Sequence, residues 1–161
     1  MKPKTLGIDI GGVIIQPAET AGDTSFFSSA YLDTPPVADA IEAIAQLREE
    51  RFGDRICLVS KCGPGVQQKP LNWLENRNFY VLTGIAPDRV HFCRERADKA
   101  PICRRLGVDI FIDDRIDVLR HLETVETLIQ FQSTEKAKKE QADFELIRVN
   151  SWMNVLDQLL G

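Results

Sequence analysis

Thr5-Leu6-Gly7-Ile8-Asp9-Ile10-Gly11-Gly12-Val13-Ile14-Ile15 is the stretch whose reading decides the fold. Its first apolar run, Leu6-Gly7-Ile8, is short, continuous and cut off by an acidic residue and two glycines. It reads as a buried strand that hands the chain to a turn, with Asp9 at its carboxyl end. Lys2 and Lys4 ahead of an apolar run could suggest a signal peptide, but Asp9 and Gly11-Gly12 interrupt it within a few residues. A cytoplasmic chain is therefore expected.

Similar runs recur at Ile56-Cys57-Leu58-Val59, Ile110-Phe111-Ile112 and Val125 to Phe131, with shorter candidates at Val90 to Cys93 and Phe144 to Val149. Strands without polar alternation belong to sheets covered on both faces. Between them lie segments of helical period: Val37 to Glu50 after Thr34-Pro35-Pro36, Gln67 to Asn76, Lys99 to Leu106 ending at Gly107, Ile116 to Leu122, and Trp152 to Leu160. Thr134 to Asp143 is charged and reads as a solvated helix or loop. This alternation predicts an α/β fold, a doubly wound, mainly parallel, Rossmann-like sheet with helices on both faces.

The length of 161 residues suits one domain spanning 1–161, and 43% apolar content can cover both faces of such a sheet. A net charge of −4 supplies no basic field for extended nucleic-acid binding or an anionic membrane, and no apolar stretch approaches the roughly 20 residues that span a bilayer. Four cysteines without a CxxC pair, and only two histidines, give little basis for a zinc cluster. Residues 16–36, with Pro, Gly, Ser and Thr, Phe26-Phe27 and Tyr31, read as a loop or small flap next to the first strand's end.

In an open α/β sheet, ligands bind beyond the carboxyl ends of the strands. Three predicted strands carry polar residues there: Asp9 with Gly11-Gly12, Ser60-Lys61, and Asp113-Asp114; Lys99 opens the helix before the last of these. Singly, they could be a turn, a helix cap, a solvated lysine and another cap. Together they would gather carboxylates, a hydroxyl and an ammonium in one crevice. Carboxylates converging without histidine or thiolate suit a hard cation such as Mg²⁺, which would also neutralise a phosphate that Asp9 could attack.

Gly7-Ile8-Asp9-Ile10-Gly11-Gly12-Val13-Ile14 resembles the first motif of the haloacid dehalogenase-like (HAD) hydrolases, and Phe111-Ile112-Asp113-Asp114-Arg115 resembles their acidic fourth. Ser60 and Lys99 fall where the second and third motifs stand. The resemblance implies a Mg²⁺-dependent phosphatase acting through an aspartyl phosphate, with Asp9, Ser60 and Lys99 catalytic. It places Gly12, Ser60, Lys61 and Lys99 on the substrate and Asp9, Gly11, Asp114 and Asp113 at the metal, Asp114 more directly than Asp113. The short intervals between motifs imply a capless or minimally capped member, and the phosphatase resemblance implies a phosphorylated small molecule as substrate. Such members often take large or exposed substrates or complete their sites with a partner subunit, so a homo-oligomer stays open. Ile112-Asp113-Asp114-Arg115 with Lys69 and Trp73 is also somewhat similar to the deoxyribonucleotidase branch, which would make the substrate a nucleotide. Trp73 beside Leu74 is more simply a core residue.

One departure matters. The family's phosphatases place a second aspartate two residues after the nucleophile, as acid and base for the leaving group, and here Gly11 stands there. A backbone carbonyl can still bind a metal, but proton transfer worth about 10²–10⁴-fold is missing. Glu19, Asp23 or Asp33 from the 16–36 loop could replace it. The alternatives are a binding module that holds Mg²⁺ and a phosphorylated ligand with little turnover and, third, a 2-haloacid dehalogenase.

Overall fold

The computed structural model describes residues 2–22, 26 and 28–161; Asp23 and Phe27, singled out above, lie outside the described residues. The chain runs through β1 (Leu6–Ile8), α1 (Ala18–Ala21), α2 (Ala40–Leu47), β2 (Ile56–Lys61), α3 (Gln68–Asn76), α4 (Phe79–Thr83) and β3 (Val90–Cys93). It continues through α5 (Lys99–Leu106), β4 (Ile110–Asp113), α6 (Ile116–Leu119), β5 (Thr127–Phe131), α7 (Glu135–Lys139), β6 (Ile147–Val149) and α8 (Trp152–Leu160). The strands form one sheet in the order β3-β2-β1-β4-β5-β6. Every pairing in it is parallel. Connections leave β1 toward β2 and β3 on one side and β4 to β6 on the other. The order therefore reverses beside β1, and a crevice opens at such a reversal.

Side chains of successive strand residues point to opposite faces, and the core divides accordingly. Ile56 and Leu58 join Leu6, Ile8 and Ile112 on the face that also buries Ile44, Trp73 and Trp152. Cys57 and Val59 join Phe111 on the other face, against Cys103 and Leu119. Gly7 is required by this second layer: a Cβ there would lie 2.6 Å from Phe111 Cδ2 and 3.2 Å from Val108 Cγ1. The ring of β4 thus occupies the space that a side chain on β1 would need.

Where the observed elements differ from the sequence reading, local hydrogen bonds give the reason. The helix expected from Val37 begins at Ala40, because Asp39 takes a left-handed conformation that a helix cannot run through; ahead of it, Val37 N–H donates to the Ile14 carbonyl at 2.7 Å. It runs on as a π-helical turn, Arg48–Phe52. The strand expected from Val125 starts at Thr127, since Val125 N–H closes a turn onto Leu122 at 3.1 Å. The charged stretch after Thr134 forms α7, capped by the Thr134 hydroxyl and pinned by Gln130, whose Nε2 donates to the Ala137 carbonyl at 2.9 Å. Helix α4 has no counterpart in the sequence reading. Trp73 is fully buried and donates to the Thr34 carbonyl at 2.8 Å, a core role.

Segment 16–36 is partly structured. It carries α1 and a 3₁₀ turn, Tyr31–Asp33, and returns to the first strand's exit through an Ile15–Pro36 bridge. Its later half rests on α3: Asn72 donates to the Tyr31 hydroxyl at 3.1 Å, and Lys69 Nζ lies 5.0 Å from the Tyr31 ring centroid. No helix among the described residues is long and apolar enough to cross a membrane.

Candidate active site

Asp9 follows the last residue of β1, and its amide donates to the Ile112 carbonyl of β4 at 2.9 Å. That bond fixes the strand end against its neighbour. Past it the chain folds back: the amides of Ile14 and Ile15 both donate to Ile10, at 2.8 and 3.1 Å, and Gly12 N–H donates to Ile15 at 2.8 Å. Gly12 has φ +78°, and a Cβ there would stand 2.6 Å from Asp114 Oδ2. Both the backbone conformation and the approach of Asp114 require glycine.

Lys99 begins α5 and is 2% exposed, so the solvated reading of this residue is excluded. Its Nζ donates to Asp9 Oδ1 at 2.9 Å and to Asp113 Oδ2 at 2.8 Å. Nζ also stands 5.6 Å from the Phe111 ring centroid. Asp113, fully buried, uses its other oxygen to accept from Arg115 N–H at 3.0 Å. Both its oxygens are engaged by protein groups. Asp114 differs, because its Oδ1 is buried with no hydrogen-bond partner. Oxygens of Asp9, Asp113 and Asp114 lie within 4.8 Å of one another.

This crowding shifts the proton affinities. Burial, then the charge on Asp113, pushes the Asp9 carboxyl up, while Lys99 partly offsets the rise. Burial, then Asp113 and Asp9, pushes Asp114 well above the usual carboxylate range. For Lys99 burial alone would lower the affinity, but Asp113 and Asp9 outweigh it and hold the ammonium charged.

The orphaned Asp114 oxygen beside a second carboxylate is the donor set that a hard divalent cation fits. It would satisfy a buried acceptor and remove the repulsion that raises both acids.

These groups open on a cleft of about 470 Å³. Asp9, Ser60, Lys99 and Asp114 line it, as do Gly11, Gly12 and Lys61. Asp113 does not; it lies beneath, braced against Lys99. Lys69, Arg96 and Arg115 stand around the same space. Sequence reasoning passed over Arg96, which precedes α5 and lies 3.6 Å from Asp117. Nothing in its spacing marks it, because only the return of the chain at 96–98 brings it to β1. A smaller cavity of about 300 Å³, near the start of β2, is lined by Arg48, Asp54 and Arg89 and holds none of the clustered groups.

No protein-family model and no curated protein matches the sequence. Solved structures do match. A protein from Burkholderia xenovorans LB400, described as a haloacid dehalogenase-like hydrolase, superposes with a TM-score of 0.64 at 8% identity, over 98% of this chain and 96% of that one. The chain has the HAD-like fold. An uncharacterized protein from Listeria monocytogenes serotype 4b matches with a TM-score of 0.65 at 12% identity, over 98% and 97% of the two chains. In both cases the match runs over nearly the whole length of each chain.

Proposed function

We propose that this chain is a Mg²⁺-dependent phosphatase of small phosphorylated molecules, with Asp9 as its nucleophile. The observation that carries the reading is Lys99 fixed between Asp9 and Asp113 while a neighbouring Asp114 oxygen is buried without a partner. Asp9, Asp114 and the Gly11 carbonyl would hold the metal, and Asp113 would brace Lys99 from beneath. When bound, Mg²⁺ supplies positive charge that keeps the carboxylates ionised and offsets that of the phosphate.

In this reading Lys99 holds one oxygen of Asp9, and the other attacks phosphorus. The bond to the leaving oxygen breaks as the bond to Asp9 forms. Water then attacks the same phosphorus, releasing orthophosphate and restoring Asp9. Ser60 donates a hydrogen bond to the transferring oxygens, and Lys99 and Lys61 bring positive charge where a phosphoryl transition state spreads its negative charge.

Hydrolysis of 4-nitrophenyl phosphate in Mg²⁺ and in EDTA, by the wild type and Asp9→Asn, tests the reading. Metal-dependent hydrolysis, reduced at least about 10²-fold in Asp9→Asn, is expected. Equal rates in the two proteins would exclude Asp9 as nucleophile. The open position at Gly11 favours one second reading, a module that binds Mg²⁺ and phosphate without turnover. That reading predicts orthophosphate binding that requires Mg²⁺ and no hydrolysis of any ester.

A further inference from the structure

Resting on the phosphatase reading, the proton left unassigned by Gly11 can be given a carrier. A Cβ built on Gly11 would meet nothing within 4 Å. The space in which an aspartate would stand is therefore open cleft. Three carboxylates among the described residues line that cleft: Asp9, Asp114 and Glu19. The first two are taken up by the nucleophile and the metal. Asp33, on the 3₁₀ turn Tyr31–Asp33, does not line the cleft.

Glu19 sits in α1, on a segment tied firmly to the first strand's exit. Gln16 N–H donates to the Pro35 carbonyl at 3.0 Å, and Thr20 closes the single helical turn onto Pro17 through both its amide, at 3.1 Å, and its hydroxyl, at 3.0 Å. The side chain is exposed, and no ion pair or hydrogen bond to another described residue engages it. It is a carboxylate held on the cleft wall with no structural task.

We infer that Glu19 is the general acid and base of this site, replacing the aspartate that the chain lacks at position 11. As the bond between phosphorus and the ester oxygen breaks, the Glu19 carboxyl gives its proton to that oxygen, producing the alcohol and a Glu19 carboxylate. In the second step the carboxylate takes a proton from the attacking water as the bond between phosphorus and Asp9 breaks. The group is restored and atoms balance. This assigns alkyl phosphates, whose leaving oxygen needs a proton, to the substrate class.

The test compares Glu19→Gln with wild type on glycerol 2-phosphate, a poor leaving group, and 4-nitrophenyl phosphate, a good one, both with saturating Mg²⁺. Glu19→Gln is expected to lower kcat on glycerol 2-phosphate about 10²-fold or more. Its loss on 4-nitrophenyl phosphate is expected to be at least about tenfold smaller, with KM little changed for either. A structural role would depress both substrates alike. Unaltered hydrolysis of glycerol 2-phosphate by Glu19→Gln, with Asp9→Asn inactive, would overturn the Glu19 assignment and leave the phosphatase reading standing. Absence of any Asp9-dependent hydrolysis in the wild type would overturn both.

Discussion

Replacing Asp114 by Asn should make the metal-free protein more stable at neutral pH, an unusual direction for a change at a buried site. The raised proton affinity of Asp114 means that folding retains a proton which the unfolded chain sheds above its ordinary value of 3.8. The folded state then binds more protons at this site than the unfolded one, so the contribution of Asp114 to stability is greatest below pH 3.8 and falls as pH rises. At about 1.4 kcal/mol per pH unit, the ceiling on this penalty at pH 7 is about 4 kcal/mol. Water entering from the open cleft would reduce it to roughly 1–3 kcal/mol. Asn matches the protonated acid in shape and carries no such penalty. Urea unfolding in EDTA, followed by circular dichroism, should show Asp114→Asn exceeding the wild type by roughly 1–3 kcal/mol at pH 8 and converging with it near pH 4. Added Mg²⁺ should stabilise the wild type and leave the variant little changed. A variant less stable than the wild type in EDTA at pH 8, or equally stabilised by Mg²⁺, would refute the argument that the ionised Asp114 carboxylate is destabilising until a metal binds it.

Three further outcomes follow from particular contacts. Gly11→Asp, entering open space, should fold with stability near the wild type and restore about tenfold or more of the hydrolysis lost in Glu19→Gln, measured as kcat of the double variant on glycerol 2-phosphate. Gly7→Ala places a Cβ 2.6 Å from Phe111 and should cost about 1–3 kcal/mol in urea unfolding, with Phe111→Leu relieving part of the loss. Burial holds the thiols of Cys57 and Cys103 up, at about 11 and about 12, so both stay protonated at pH 8. Iodoacetamide at that pH should modify half-buried Cys62 first, as peptide mass spectrometry would reveal.

The residues that form the cluster could be read from the sequence because parallel topology does most of the placement. Once the runs at Leu6, Ile56 and Ile110 are adjacent parallel strands, Asp9, Ser60 and Asp113-Asp114 must share one end of the sheet, and the helix opened by Lys99 feeds the same end. What spacing could not supply was the ranking of two adjacent aspartates. Neighbouring residues at a strand end point to different sides, so Asp113 goes down to Lys99 and Asp114 turns toward Gly12, a choice made by tertiary packing. The burial of Lys99 was hidden for the same reason. The helix lost between Val37 and Asp39 was invisible locally, because the left-handed conformation of Asp39, which interrupts the helical path, has no mark in the apolar spacing. Glu19 could be named as one of several acids in a loop without period. Only its position on the cleft wall separates it from Asp33.

The central claim is that phosphorus becomes bonded to Asp9. The protein can be mixed with a phosphate ester and Mg²⁺, denatured within a single turnover, reduced with borohydride and digested for mass spectrometry. Borohydride converts an acyl phosphate to an alcohol, so the account predicts homoserine in place of aspartate at position 9. It predicts none there when Mg²⁺ is omitted. Orthophosphate released under the same conditions, with position 9 remaining aspartate at every time of quench, would contradict it.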